Sequence, residues 1–187
     1  MSGPTSLSVI PGQVGPHLMQ AAFIVDDVEA AARAWIATTG IGPFFIVPHI
    51  QLAEATYRGT PSQGLDFSVA LAQSGGTQIE LIQQHCDNPS AYRDTIAKGE
   101  TGFHHFCIYT DDYDATRQRY IDQGFIAAID GKFGAMRFCY VDTAATIGCM
   151  IEIVEQDASQ SAAFSRIAEA AQGWDGVTDP IRQLFPA

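Results

Sequence analysis

The chain has 187 residues, of which 47% are hydrophobic and 17% are charged, so it can bury a sizeable core and is not disordered in composition. Its 21 acidic and 10 basic residues give a formal net charge of -11 at pH 7. Phosphate binding needs clustered cations, and the ten here are scattered, which argues against a nucleic-acid or anionic-membrane partner.

Signals for export or membrane insertion are missing from the sequence. The N-terminal stretch MSGPTSLSVIPGQVGPH has neither a cationic start nor an apolar run, and no later segment has the apolar length needed to cross a bilayer. None of the four cysteines belongs to a CxxC pair, which favours free thiols that act as small hydrophobes. They are Cys86, Cys107, Cys139 and Cys149. We therefore expect a cytoplasmic protein.

An internal repeat organises the chain. The segments LMQAAFIVDDVEAAARAWIATTGIGPFFIV and FHHFCIYTDDYDATRQRYIDQGFIAAI share one layout: an apolar strand, an Asp-Asp pair, a helix, a Gly and a second apolar run. Laying Asp27 on Asp112 gives an offset of 85 residues, which also places Gln20 on His105. The sequence therefore predicts a duplicated supersecondary unit.

Each unit is predicted to contain one strand, one helix and three further strands. In the first, Asp27 suits the N-cap of VEAAARAWIATTG, Gly40 ends that helix, and PFFIV, DFSVALAQ and TQIELIQQ follow as strands. In the second, Asp112 is the cap, and FIAAID, AMRFCYVD and GCMIEIVE are the strands. The predicted fold class is α+β, with module 1 at about residues 18–85 and module 2 at about residues 102–156.

Two segments lie outside the repeat, within what we expect to be a single domain. The linker, at about residues 86–101, is predicted to hold a short helix from Ser90 to Lys98. The C-terminal helical tail, at about residues 157–187, is predicted to form a helix from Ser161 to Ala171 and a second short helix from Asp179 to Leu184. We expect this tail to pack on the outside of the domain or on a second subunit.

Polar residues interrupt the apolar strands at matching places in the two units. They are Gln20 and His105 in the first strand, and Glu80 and Glu152 in the last. A buried carboxylate is costly unless it is paired or bound to a cation. Taken singly, these residues are better explained as the wet face of a strand, but wet faces do not require the polar positions of two copies to coincide. Around a pseudo-twofold axis the four side chains would converge, as an N/O shell suited to Zn, Ni, Co, Mn or Fe.

The run TGFHHFCIYTDD places two histidines side by side. Adjacent residues of a strand point to opposite faces of its sheet, so at most one of the two serves a given site. Because the offset pairs His105 with Gln20, His105 is the predicted ligand. His104 is expected to point the other way and to have a packing or hydrogen-bonding role.

In their order and duplication, the segments QAAFIVDD, TQIELI, HHFCIYTDD and GCMIEIV resemble the vicinal oxygen chelate superfamily, which includes glyoxalase I, methylmalonyl-CoA epimerase, extradiol dioxygenases and bleomycin-binding resistance proteins. The resemblance covers about residues 18–155. It implies two tandem βαβββ modules that form a curved, mostly antiparallel sheet around a divalent metal ion, and a homodimer. The implied metal ligands are Gln20, Glu80, His105 and Glu152.

The resemblance to the glyoxalase I or methylmalonyl-CoA epimerase branch also implies a reaction. It implies a metal-dependent isomerase, epimerase or glyoxalase-type lyase that abstracts a proton next to a carbonyl through a metal-stabilised enolate or enediolate. By position Glu152 is the first candidate for the base and Glu80 the second. The substrate would be a small molecule with vicinal oxygens: a CoA thioester, a glutathione adduct or another oxygenated compound.

Two other functions remain open at the level of sequence. One is a non-enzymatic protein that binds or sequesters a small molecule, and the other is an Fe(II) extradiol dioxygenase, which Gln20 in place of a histidine disfavours.

The other polar residues of interest are interpreted as structural or solvent-exposed rather than as parts of a site. His49 and His85 are taken as surface histidines near turns, and Tyr57 with Arg58 as a solvated strand end rather than a substrate clamp.

Overall fold

The structure is a computed structural model that describes residues 18–52, 54–62 and 64–185. The N-terminal stretch that carried the signal-peptide expectation lies outside these residues. The elements of the first half are β1 (Leu18–Ile24), α1 (Val28–Thr39), β2 (Phe44–Gln51), β3 (Ala55–Tyr57), β4 (Thr60–Pro61), β5 (Asp66–Ser74) and β6 (Thr77–Gln84). Those of the second half are α2 (Ala91–Thr95), β7 (Gly102–Thr110), α3 (Tyr113–Asp122), β8 (Ala127–Phe133), β9 (Met136–Val141), α4 (Ala144–Ile147), β10 (Met150–Glu155), α5 (Ala158–Ala171) and β11 (Ile181–Gln183).

The duplication predicted from the sequence is present in the sheet. The spatial order of the strands is β11-β2-β5-β6-β1-β7-β10-β9-β8-β3-β4, so each half contributes four strands in equivalent order outward from the β1 and β7 pair. Ala21 pairs with Phe106, its own counterpart under the offset of 85, and Gln20 pairs with Cys107 beside it. A pseudo-twofold axis therefore passes through the Ala21 and Phe106 pair. Most strand pairs are antiparallel, which confirms the predicted α+β class with a curved sheet.

The main helices start where the sequence indicated. Asp27 accepts a hydrogen bond from the backbone N–H of Ala30 at 2.9 Å, and Asp112 accepts one from Ala115 at 3.1 Å, so both aspartates act as N-caps. Helices α1 and α3 pack on the outer face of the sheet, which leaves its inner face to line the interior. None of the helices in the described part of the chain has the length and apolar character needed to span a bilayer.

One connection crosses between the two halves. Strand β3 follows β2 in sequence but pairs with β8, the outermost of the four core strands of the second half. The guanidinium of Arg58, just after β3, contacts carboxylate oxygens of Asp94 and Asp142, each at 2.8 Å. These ion pairs hold the β3 segment against the second half, so Tyr57 and Arg58 help to connect the two halves of the structure.

The tail agrees with the prediction in part. Helix α5 is present and begins three residues earlier than predicted, because Asp157 caps it by accepting from the backbone N–H groups of Ser159 and Gln160. The prediction of a second helix from Asp179 to Leu184 is wrong, since Ile181–Gln183 form β11, parallel to β2. The backbone N–H of Leu184 also donates to Ile46 at 3.1 Å. The open edge of β2 supplies hydrogen bonds that local propensity does not reveal.

Candidate functional site

The inner face of the sheet borders a cavity whose empty space, including its open mouth, is about 700 Å³. Both halves of the sheet and the tail contribute to its walls. Most of the lining side chains are aliphatic or aromatic, for example Val69, Phe138 and Phe164. Gln20, Glu80 and Glu152 are among its polar groups, so three of the four predicted ligands face one space.

Glu80, His105 and Glu152 come together as a buried cluster. Nε2 of His105 lies 3.3 Å from a carboxylate oxygen of Glu152 and 3.6 Å from one of Glu80. The potential ligand atoms of the three residues all lie within 4.8 Å of one another. Together with Gln20 they occupy four adjacent strands, β6, β1, β7 and β10. This adjacency follows from the β1 and β7 pairing at the centre of the repeat.

Gln20 lies at the same cavity and has a fixed amide. Its Nε2 donates to Oε1 of the buried Gln78 at 2.6 Å. The carbonyl oxygen of Gln20 is not used in that bond, and it is the atom that suits a hard cation.

The expectation that His104 points away from His105 is wrong. Ala22 pairs with His105 and Phe23 with Phe103, so His104 is an extra residue in β7 with no opposing residue in β1. A bulge of this kind interrupts the alternation of side chains, and here it places both imidazoles on the inner face. Both rings are fully buried, and their Nδ1 atoms are 2.9 Å apart.

The bulge itself is repeated. In β1, Leu18 pairs with Ile108 and Gln20 with Cys107, which leaves Met19 as the extra residue. Met19 is the counterpart of His104 under the offset of 85. Each unit therefore turns two consecutive side chains inward at this point, and only the second unit uses a polar residue at the extra position.

Hydrogen bonds of the histidine pair determine which ring nitrogens carry protons. Nε2 of His104 lies 3.0 Å from the carbonyl oxygen of Ala91, which only accepts, so this nitrogen is protonated. Burial, with a further contribution from His105, lowers the pKa of His104 to about 3, so its ring is neutral and its Nδ1 accepts. Nδ1 of His105 therefore donates to it. With the Nδ1 proton of His105 used in this bond, Nε2 is the ring nitrogen that faces the two carboxylates.

The cluster contains polar atoms that the protein does not satisfy. Oε2 of Glu80 and Nε2 of His105 are buried without a hydrogen-bond partner in the described part of the chain. Burial and then the neighbouring Glu152 carboxylate raise the pKa of Glu80 well above its usual range. A lone pair that faces two buried carboxylates is unfavourable unless a proton or cation lies among them. The donor set and these orphaned atoms fit a divalent metal ion.

Two tyrosines that sequence reasoning missed complete the surroundings. The ring of Tyr140 contacts His105 edge-on with a centroid distance of 4.8 Å, and its hydroxyl lies 3.4 Å from that of Tyr92. Burial raises the pKa of both tyrosines well above the usual value, so both are neutral. The sequence contained one feature that could have identified Tyr140, namely its inward position on a predicted strand. No such feature marked Tyr92, because it belongs to the linker helix outside the repeat.

A second group of potential metal ligands lies at the surface and consists of His49, Asp66 and His85. Nδ1 of His49 is 3.1 Å from the Asp66 carboxylate, and Nε2 of His85 is 2.6 Å from the Ser68 hydroxyl. These ring nitrogens have protein partners, and both histidines are exposed. In contrast to the buried cluster, this group creates no demand for a cation.

The family model described as Glyoxalase/Bleomycin resistance protein/Dioxygenase superfamily matches residues 19–140 of the chain. No curated protein matches the chain. Among solved structures, a variant of methylmalonyl-CoA epimerase from Streptomyces coelicolor, in complex with 2-nitronate-propionyl-CoA, has a TM-score of 0.52 and 18% identity. That alignment covers 76% of this chain and 99% of the epimerase.

Two further structures are similar to the same degree. Methylmalonyl-CoA epimerase from Mycobacterium tuberculosis has a TM-score of 0.53 and 16% identity, over 81% of this chain and 97% of the epimerase. A hypothetical protein from Bacillus halodurans C-125 has a TM-score of 0.54 and 14% identity, over 77% of this chain and 96% of its own. At these identities the likeness concerns the fold.

Proposed function

Because the chain belongs to the glyoxalase, bleomycin resistance protein and dioxygenase superfamily, we propose that it is a metal-dependent enzyme that moves a proton next to a carbonyl group. The reaction class is isomerisation, epimerisation or a glyoxalase-type lyase step. The observation that carries the proposal is the buried cluster of Glu80, His105 and Glu152, with orphaned atoms on two of its three side chains. The epimerase fold of the structural neighbours supports the same reaction class.

Gln20, Glu80, His105 and Glu152 are the proposed ligands of one Zn, Ni, Co, Mn or Fe ion. A divalent ion held there would polarise two vicinal oxygens of a substrate and so lower the pKa of the neighbouring C–H group. The residues around it supply the proton transfer. The pKa of Glu80 is raised by burial, which suits it to hold and return a proton, and Glu152 is the proposed base. The apolar walls keep water from competing for that proton.

Metal content tests the proposal directly. Protein purified without chelator should contain about one divalent ion per chain by mass spectrometry, and a His105→Gln variant should lose it, because the imidazole is the single nitrogen ligand. Glu155→Gln is the matched control, since Glu155 lies on the same strand but pairs with Arg137 outside the cluster. If wild type and His105→Gln both lack a stoichiometric ion, the metal-dependent function is wrong.

Catalysis is tested by exchange at the reacting carbon. A substrate analogue with a C–H next to a carbonyl should exchange that hydrogen for solvent deuterium in the presence of wild type, as followed by NMR. Glu152→Gln should slow this exchange at least about 100-fold, because general-base catalysis typically contributes 10²- to 10⁴-fold. Glu155→Gln should exchange at the wild-type rate. Equal rates for wild type and Glu152→Gln would remove Glu152 from its proposed role.

The other functions considered from the sequence receive separate tests. A non-enzymatic binding protein would be stabilised by its ligand even in EDTA and would catalyse no exchange. An Fe(II) dioxygenase would consume oxygen with catechols, and the presence of a single histidine among Gln20, Glu80, His105 and Glu152 gives that reaction less support. The homodimer and the cytoplasmic location stay predictions.

A further inference from the structure

The distribution of charge around the cavity indicates what kind of molecule it accepts. All ten Lys and Arg residues of the sequence lie within the described residues, and none of them lines the cavity. The formal charges on its walls are the carboxylates of Glu80 and Glu152. A carboxylate or phosphate placed in this space would meet mostly apolar side chains, two acids and the neutral polar groups of Gln20, Tyr92, Tyr140 and Gln160, with no cationic side chain to compensate it.

The basic residues are engaged elsewhere. Six of them form ion pairs with carboxylates: Arg33, Arg58, Lys98, Arg117, Lys132 and Arg137. Three donate to backbone carbonyls: Arg93, Arg166 and Arg182. The last, Arg119, lies over the ring of Tyr120 on helix α3. Each of the ten therefore has a partner outside the cavity.

A bound metal ion would not change this balance. The two positive charges of a divalent ion are offset by the two carboxylates of Glu80 and Glu152 in the same cluster. The site would then be close to neutral and would favour oxygens without a full charge. Two vicinal oxygens of a ketone or alcohol meet that condition.

The tail adds hydrophobic surface to the same cavity. Gln160 and Phe164 of α5 line it, as do Leu184 and Phe185 just after β11. The ring of Phe164 packs edge-on against Tyr109 with a centroid distance of 5.8 Å. These residues lie beyond the stretch that the family model matches, residues 19–140.

We propose that the substrate is a compact, uncharged and largely hydrophobic molecule with two neighbouring oxygens, rather than a CoA thioester or a glutathione adduct. This rests on the proposed function, because the two oxygens are the part that the metal cluster would hold. The hydrophobic body would lie against the aliphatic and aromatic walls. Such walls discriminate by size and by charge, since an added charge in them is left without a partner.

The first test compares three probes by calorimetry on wild type, with its metal content measured in the same sample. The probes are benzoin, which is an uncharged aromatic α-hydroxyketone, its 4-carboxy derivative, and methylmalonyl-CoA. Benzoin should bind, and its carboxy derivative should bind at least about 100-fold more weakly. Methylmalonyl-CoA should not displace benzoin. Tighter binding of either anionic probe, or no binding of benzoin to metal-loaded protein, would overturn the proposal.

A charge introduced into the wall gives a second test. Gln160→Lys places a cation at the cavity and should narrow the preference for benzoin over its carboxy derivative by at least about tenfold. Gln172→Lys is the matched control, because it makes the same change at the exposed C-cap of α5, away from the cavity. The idea is contradicted if both variants keep the wild-type preference.

The two proposals fail in different ways. If protein without metal still prefers benzoin, the proposed substrate class stands and the metal-dependent function is wrong. If metal-loaded protein prefers methylmalonyl-CoA, the proposed metal site stands and the proposed substrate class is wrong.

Discussion

At the scale of single residues, His104 holds His105 in the tautomer that a metal ligand needs. Because Ala91 accepts from Nε2 of His104, and the low pKa keeps that ring neutral, His105 must donate from Nδ1. A histidine ligand commonly donates its other ring N–H to a fixed partner, and loss of that partner weakens metal binding. His104 is therefore a positioning residue for the proposed ligand.

A His104→Phe variant tests that role, because it keeps a buried ring but removes the acceptor for Nδ1 of His105. We expect metal affinity, measured by competition with a fluorescent chelator, to fall by about 10- to 100-fold. His85→Phe, which changes an exposed histidine, should leave it unchanged. An unchanged affinity in His104→Phe would mean that His105 is held in place without its neighbour.

The same residue makes stability depend on pH. The pKa of His104 is about 3 in the folded protein, against an ordinary value of 6.5, so between these values the unfolded chain binds the proton more readily. The low pKa of His104 therefore costs no stability above pH 6.5. As pH falls from 6.5 towards 3, the free energy of unfolding decreases by up to about 1.4 kcal/mol per pH unit. Urea unfolding in EDTA should show a steeper loss of stability for wild type than for His104→Phe. Parallel curves would assign the acid sensitivity to other groups.

At the scale of secondary structure, the tail shows how a strand forms where the sequence favours a helix. A six-residue segment gains little from helix propensity, whereas the free edge of β2 offers partners to Ile181–Gln183. The adjacent Leu184 is 2% exposed and packs in the inner core, while Phe185 is 53% exposed. Docking of β11 should therefore depend on Leu184 far more than on its larger neighbour.

The substitutions Leu184→Ala and Phe185→Ala form a matched pair for this element. Leu184→Ala should lower the free energy of unfolding by about 2 to 5 kcal/mol, because it leaves a cavity in the core. Phe185→Ala should cost less than about 1 kcal/mol. Both are measured by urea denaturation. Similar losses in the two variants would contradict the greater dependence on Leu184.

Elements within the repeat were predictable because their signals are local. The Asp27 and Asp112 caps, the glycine after α1 and the apolar strand runs each act over a few residues, and the structure confirms all of them. The pairing of β3 with β8 was not predictable, since its partner is about 70 residues away and nothing in ATYRG specifies it.

At the scale of the whole molecule, the site reduces stability in the absence of metal. Burial raises the pKa of Glu80, so the folded state holds its proton more tightly than the unfolded chain does. The contribution of Glu80 to the free energy of unfolding is therefore most favourable below pH 4.5. It is lost as pH rises towards the pKa that Glu80 has in the folded protein. Near neutral pH, metal-free protein therefore bears the cost of a buried acid.

Glu80→Gln should accordingly have opposite effects with and without metal. In EDTA at pH 7 the variant should be more stable than wild type by at least about 1 kcal/mol, because the amide carries no charge. With excess Zn²⁺, wild type should gain more stability than the variant, by mass action at an intact site. Thermal unfolding measures both, with Glu155→Gln as the control. A Glu80→Gln variant less stable than wild type in EDTA would contradict the argument.

The sequence by itself determined the duplicated unit, the superfamily and the four polar positions in apolar strands, since periodicity, caps and an offset of 85 residues are written along the chain. Only the tertiary structure decided that Glu80, His105 and Glu152 meet, that a bulge turns His104 towards His105, and that the tail becomes a strand at the edge of β2. The physical reason is the same in each case. A bulge or an added strand depends on which backbone groups remain unpaired nearby, and those groups belong to residues distant in sequence.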